Sequence, residues 1–264
     1  MHAEPNRILT QQRLRLVGHH ARSVVRGLQL PEGSIIPSLT LCQVCSRPVE
    51  KMWPRCYKCN VVWREYGTNA ADAVVPLSYA VKNRSELQQF YYDLFQYKGE
   101  PASSPAQNRL YALLGLFEMY HLSCLERSAG RRVDQVVTVP SGRGRSDHPL
   151  PRIAQALERP ILAAKFVGAP RGGRAVGVRP SDFAIQGGVG RHVVVLEDTW
   201  VSGANAQSLA IQAKAAGAEY VSIVVLARLL DYSQDITGQL VDSWSPDVAW
   251  SYVPCPVLGA GCLA

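Results

Sequence analysis

From residue 133 onward, short closed runs of apolar residues alternate with stretches of helical period. "QVVTVP" (135–140), "PILAAKFV" (160–167), "RHVVVLED" (191–198) and "YVSIVVLARLL" (220–230) are runs of strand-forming residues with little internal alternation. Between them, "PLPRIAQALER" (149–159) and "GANAQSLAIQAKAAGA" (203–218) place apolar positions three and four apart, as one face of a helix requires. Strands apolar on both sides, separated by helices, predict an α/β fold with a mainly parallel sheet covered on both faces.

Upstream the pattern is less regular. "DAVVPLSYAV" (72–81) reads as a strand, and "SELQQFYYDLFQYK" (85–98) as an amphipathic helix ended by Gly99 and Pro101. "NRLYALLGLFEMYHLSCLERSAG" (108–130) reads as a long, mostly buried helix that stops at its glycine. Residues 1–40 form a polar, Arg-rich lead-in with one helical stretch at 19–30, and the tail from 232 shows no period. The chain thus divides into a lead-in (1–40), a cysteine module (41–66), an α/β domain (67–231) and a C-terminal tail (232–264).

The cysteine module changes the picture most. Cys42-x2-Cys45 and Cys56-x2-Cys59 lie ten residues apart, and thiolates at this spacing converge on one tetrahedral ion, usually zinc. Four thiolates close the coordination sphere, so the ion is structural. Seven cysteines, an odd number, fit a reducing compartment better than a disulfide framework. Cys124 reads as core, and Cys255 and Cys262 as free thiols rather than a second metal site. No apolar run reaches the ~18 residues that cross a bilayer, and the N-terminus offers no signal-peptide core, which makes the cytoplasm the default location and excludes membrane partners.

Net charge is +7, and residues 1–66 hold +6 of it, with ten Lys/Arg against four Asp/Glu. Residues 127–191 add twelve basic against four acidic side chains. Both clusters suit a polyanion, whether nucleic acid or a small polyphosphate.

"VVVLEDTWVSGAN" (193–205) supplies the candidate chemistry. A buried strand ending on two adjacent acids gains nothing from them in a core. At the carboxyl end of a parallel strand, however, ligands bind between loops and helix N-termini. The first amides of the following helix, its dipole, Thr199, Ser202 and the close approach allowed by Gly203 make a phosphate cradle. Glu197 and Asp198 then face a diol and a metal-bound water.

That stretch resembles the phosphoribosyl-pyrophosphate (PRPP) motif of type I phosphoribosyltransferases. Together with the upstream cysteines, it makes the chain resemble the ComF-like family, named for competence for DNA uptake, over roughly residues 40–230. "LFQYKG", "VVTVPSGRGRSDHPL" and "GRAVGVRPSDFAI" fall where that family has a Lys-Tyr helix end, a pyrophosphate loop and an Arg-rich flexible loop. The resemblance implies a type I phosphoribosyltransferase fold behind a zinc ribbon, and Mg²⁺-dependent transfer of ribose 5-phosphate from PRPP to a nitrogen acceptor. It implies that Glu197 and Asp198 bind the ribose hydroxyls as the catalytic acids. Thr199, Val201, Ser202, Gly203, Ala204 and Asn205 would hold the 5-phosphate, and Ser141, Gly142 and Arg143 the pyrophosphate. Arg171, Arg174 and Arg179 would close over the leaving group. Two positions depart from the motif: Val201 stands where members have Thr or a base-contacting Asp, and Asn205 where they have Thr. A purine acceptor of the hypoxanthine type is therefore disfavoured. Trp200 inside the turn either stacks on a base or packs, and His148 is a candidate base or an exposed loop residue. A non-catalytic alternative senses PRPP while the basic zinc module contacts DNA; homo-oligomerisation stays open.

Overall fold

The computed structural model describes residues 3–23, 39–141, 147–169, 177–244, 250–259 and 262. Its elements, in chain order, are α1 (Ala3–Val17), β1 (Arg22–Ser23), β2 (Leu39–Leu41), β3 (Pro48–Glu50), α2 (Tyr57–Tyr66), β4 (Ala73–Pro76), β5 (Ser78–Lys82), α3 (Gln89–Gln96) and α4 (Ser104–Ala129). They continue as β6 (Gln135–Thr138), α5 (Leu150–Ala154), β7 (Ile161–Phe166), β8 (Phe183–Gln186), β9 (His192–Trp200), α6 (Ala204–Ala215), β10 (Tyr220–Asp231) and α7 (Asp235–Asp242).

One sheet runs in the order β1-β5-β10-β9-β6-β7-β8, with β4 also on β10. Every pairing from β5 across to β7 is parallel, while β1 and β8 close the two edges antiparallel, so the sheet is mixed but mostly parallel. β4 and β5 pair with β10 in a single register, Val225 opposite Pro76 and Arg228 opposite Tyr79. They are one strand interrupted at Leu77, next to a proline that has no amide to give the ladder.

Neighbouring residues of β9 explain why its run is apolar throughout. Val194 and Leu196 face the layer formed by α3, α4 and α5; Val193 and Val195 face the side covered by α6. Alternate side chains leave opposite faces of a strand, and here both faces are covered.

The long helix α4 starts where Ser103 caps Ala106 and ends at Gly130, whose φ of 66° takes the left-handed stop. A bidentate pair, half-buried Arg109 on fully buried Asp93, fixes it to α3. The lead-in is more structured than its polarity suggests. α1 lies along α4, with Arg13 donating to the Gly115 carbonyl at 2.7 Å and Thr10 bonded to Tyr120. Gly115 lets the Arg13 guanidinium approach this closely: a Cβ would sit 2.6 Å from its carbon and would push the arginine end aside. The helix expected at 19–30 is instead a short turn followed by β1, as far as Ser23; residues 24–38 lie outside the described part. The tail adds α7, packed through Leu240 and Val241 on Tyr79 and Leu230, and the buried Trp250. Among the described residues, no helix is long and apolar enough to cross a membrane.

Candidate functional site

The four module cysteines converge. β2 and β3 form a hairpin that carries Cys42 and Cys45 in its turn, and Cys56 and Cys59 open α2. Their sulfurs all lie within 4.8 Å of one another and all four residues are buried. Cys45 and Cys56 are 3.7 Å apart at sulfur, close to the edge of about 3.8 Å that a tetrahedron of 2.3 Å zinc–sulfur bonds requires. The Cys56 amide donates to the Cys42 sulfur at 3.3 Å, which stabilises a thiolate. This donor set can hold a zinc ion. The Tyr79 hydroxyl, donating to the Ser46 carbonyl at 2.7 Å, ties the hairpin to the main sheet.

The acid pair lies at a break in the sheet. β6 leads through α5 to β7, while β9 leads through α6 to β10, so the chain leaves these two adjacent parallel strands in opposite directions. α5 and α6 cover opposite faces. Such a switch point opens a crevice at the carboxyl ends of the two strands, where α/β proteins bind ligands. β6 pairs with β9 only as far as Leu196, whose carbonyl takes the last bond, from Val139 at 3.0 Å. Glu197 and Asp198 come next, beyond the end of β6. On the other side β9 stays paired with β10 through Trp200, so the strand runs two residues past the acids instead of ending on them.

The two acids differ. Asp198 takes a hydrogen bond from the Tyr97 hydroxyl at 2.6 Å and an ion pair from Lys98, both at the end of α3. Burial opposes ionisation of Asp198, but the Lys98 charge and these bonds outweigh it and hold the carboxyl below its ordinary value. Glu197 is 9% exposed, and its Oε2 is buried with no hydrogen-bond partner. Burial, and then the neighbouring Asp198 charge, push its carboxyl up to about 8. A buried, unsatisfied carboxyl at a switch point is an arrangement that awaits a partner.

Gly203 adopts φ 75° before α6, a conformation that favours glycine. Its α-hydrogen faces the Trp200 ring: a Cβ there would lie 2.1 Å from it. Trp200 is 2% exposed, so it packs beneath the turn and does not stack on a base. Beneath the same turn, buried Arg228 on β10 donates to the Trp200 and Val201 carbonyls at 2.6 and 2.9 Å. The turn is therefore held from below, while Val201 is exposed and Ser202 and Asn205 are half-buried. Ser202 accepts from the Ala204 amide at 3.4 Å, and the first amides of α6 have no partner within the helix.

Of the other sequence-derived residues, Thr199 is half-buried on β9 and Ser141 half-buried after β6. Arg179 is exposed, with its backbone amide on the Ser208 hydroxyl of α6 at 2.7 Å. Gly142, Arg143, Arg171 and Arg174 lie outside the described residues. His148 is half-buried; its ring meets the Tyr97 ring edge-on at 5.9 Å, and its Nδ1 accepts from Leu150 at 3.3 Å.

Sequence reading gives Tyr97 and Lys98 only a helix-end place and misses Arg228 altogether, because nothing along the chain links them to residue 198. Cys124 lies in the core, and Cys255 and Cys262 are free cysteines, as the sequence reading has them; what that reading does not foresee is their grouping. These three and His121 form one cluster, with ligand atoms within 4.8 Å of each other. Their pairing spans more than a hundred residues, so no local spacing reveals it.

No family model matches the chain, and no curated protein matches it.

Proposed function

We propose that the chain is a phosphoribosyltransferase of ComF-like type that binds PRPP in the crevice between β6 and β9. There it transfers ribose 5-phosphate to a nitrogen acceptor and releases pyrophosphate. The observation that carries this reading is the placing of the acid pair at the sheet's switch point, directly before the N-terminus of α6.

The α6 amides and Ser202 take the 5-phosphate, and Gly203 keeps the backbone close to it. Glu197 and Asp198 accept hydrogen bonds from the ribose hydroxyls, which fixes the sugar for attack at its anomeric carbon. Tyr97 and Lys98 hold Asp198 charged and oriented. Glu197, whose Oε2 has no protein partner, would hold a divalent cation such as Mg²⁺, which would supply positive charge for the leaving pyrophosphate. Val201 offers no base, so the acceptor brings its own lone pair, and His148 beside Tyr97 is the titratable group available for its proton.

Calorimetric titration with PRPP, with and without Mg²⁺, tests the reading. Binding should be measurable and should weaken about ten- to a hundredfold in Asp198→Asn, the loss of one charge-assisted interaction of about 1.5–3 kcal/mol. No binding to wild type, or equal binding to the variant, refutes it.

A second reading is favoured by one surface. Met52, Trp53, Tyr57 and Trp63 are exposed on the cysteine module beside Arg55 and Lys58, and Arg55 lies 4.5 Å over the Trp63 ring. Exposed aromatics among cations make a platform for single-stranded nucleic acid. Binding to a labelled oligonucleotide should fall steeply with salt and weaken in Trp53→Ala; salt-independent or unchanged binding refutes this reading.

A further inference from the structure

We propose that His121, Cys124, Cys255 and Cys262 hold a second structural zinc ion, which fastens the segment around residues 250–262 to α4. The inference is independent of the PRPP reading. His121 and Cys124 are three residues apart and therefore share one face of α4, the face turned inward. Both are buried, as is Cys255; Cys262 is half-buried. The Cys124 and Cys262 sulfurs are 3.3 Å apart, and the four ligand atoms lie within 4.8 Å of one another.

The imidazole gives the second, independent sign. His121 is 3% exposed, and its Nε2 donates to the Tyr252 carbonyl. That bond places a proton on Nε2, so in the neutral imidazole the lone pair is on Nδ1. Nδ1 is buried, turned toward Cys255, and has no hydrogen-bond partner of good geometry. Burying an imidazole nitrogen in this state costs free energy unless something accepts the lone pair. A metal ion does so, and a histidine whose far nitrogen donates to a backbone carbonyl is the arrangement that metal-bound imidazoles use.

The turn after Cys255 prepares its sulfur. The Gly259 amide returns to the Cys255 carbonyl at 3.0 Å with Gly259 at φ 58°, and the Leu258 amide points at the Cys255 sulfur from 3.3 Å. Cys56 does the same for Cys42 in the first cluster. Three sulfurs and one imidazole nitrogen form a soft tetrahedral set that selects zinc, and four protein donors leave no open position for catalysis. A Cys124–Cys262 disulfide is the competing chemistry. It would need the sulfurs at about 2.05 Å, and it would leave the lone pair of His121 and the aimed amide at Cys255 without purpose.

The segment's contacts to the rest of the protein include Trp250 donating to the Leu77 carbonyl at 3.0 Å, the His121 bond to the Tyr252 carbonyl, Tyr252 stacked on Tyr120 with ring centres 4.4 Å apart, and the burial of Cys255 and Val257.

The test is the zinc content of the full-length protein, purified without chelators and measured by elemental analysis. Wild type should carry two equivalents, while Cys255→Ser and Cys56→Ser should each keep one. Cobalt loaded into Cys56→Ser should show a tetrahedral spectrum with weaker sulfur charge-transfer bands than cobalt in Cys255→Ser, because three thiolates replace four. One equivalent in wild type overturns the proposal, as do two that survive both Cys255→Ser and Cys262→Ser. Peptide mapping that finds a Cys124–Cys262 disulfide in the fresh protein overturns it too. Should the variants fail to fold, the wild-type stoichiometry decides alone.

Discussion

Glu197→Gln is the perturbation that most directly probes the acid pair. The glutamine keeps the size and polarity of a protonated carboxyl but can never become charged. In wild type the carboxyl shifts from an ordinary 4.5 to about 8 on folding, chiefly because burial penalises its charge. Each tenfold change in proton affinity corresponds to about 1.4 kcal/mol, so keeping Glu197 ionised in the folded state costs at most about 4–5 kcal/mol, and about 2–4 after local relaxation. The sign follows from which state binds the proton more tightly. Between pH 4.5 and 8 the folded protein holds a proton that the unfolded chain has lost, so this residue's contribution to stability falls as pH rises. Below 4.5 both states are protonated and above 8 both are ionised, and the contribution levels off.

Urea unfolding of wild type and variant at pH 5, 7 and 9 isolates the effect, because groups not coupled to Glu197 cancel in the difference and Asp198, held below its ordinary value, stays ionised over this range. The two proteins should differ by less than about 1 kcal/mol at pH 5, and the variant should be about 2–4 kcal/mol more stable at pH 9. Ligand binding gives a second readout. If PRPP with Mg²⁺ needs Glu197 charged, binding at pH 7 should release close to one proton from wild type and none from the variant, as read by titration in buffers of different ionisation enthalpy. Parallel stability curves across this range would show that Glu197 is solvated or paired in solution and would refute the reasoning.

Other consequences are open to the same measurements. Gly203→Ala should destabilise by about 2–4 kcal/mol, combining the left-handed backbone with a Cβ driven into the Trp200 ring; Trp200→Leu in the same chain should recover part of the loss, as a double-mutant cycle would show. Arg228→Met should cost about 2–4 kcal/mol in urea unfolding by leaving the Trp200 and Val201 carbonyls unsatisfied, and should also weaken PRPP binding because the turn above loses its support.

Much of the architecture can be read along the chain because it depends on neighbours in sequence. The all-apolar run of β9 signals burial on two faces, and Val193 to Leu196 indeed divide between two layers. The two Cys-x2-Cys pairs announce one cluster because each pair closes within a turn. What escapes is what the fold alone brings together. α1 has a largely polar sequence, and its place on α4 involves Arg13 reaching the carbonyl of a glycine that no helix period marks as a contact, together with Thr10 on Tyr120. Tyr97 and Lys98 come to Asp198 from another element. His121 and Cys124 left one legible trace, a histidine and a cysteine one turn apart on a buried helix face. Their partners lie in a stretch with no hydrophobic period to place it.

Arg228 shows how closely the two halves of the candidate site depend on each other. It is 3% exposed, and among the described residues no carboxylate pairs with it. Two carbonyls of the 200–203 turn accept from one end of its guanidinium, while its Nε has no partner. A buried cation so placed requires negative charge nearby. The four-cysteine cluster can supply it: the Arg228 charge acts on Cys45, and a zinc ion held by four thiolates has a net charge of −2. On the proposed reading, the metal module then does more than hold residues 41–66 together. Its charge steadies the arginine, the arginine steadies the turn, and the turn presents the α6 amides to a phosphate.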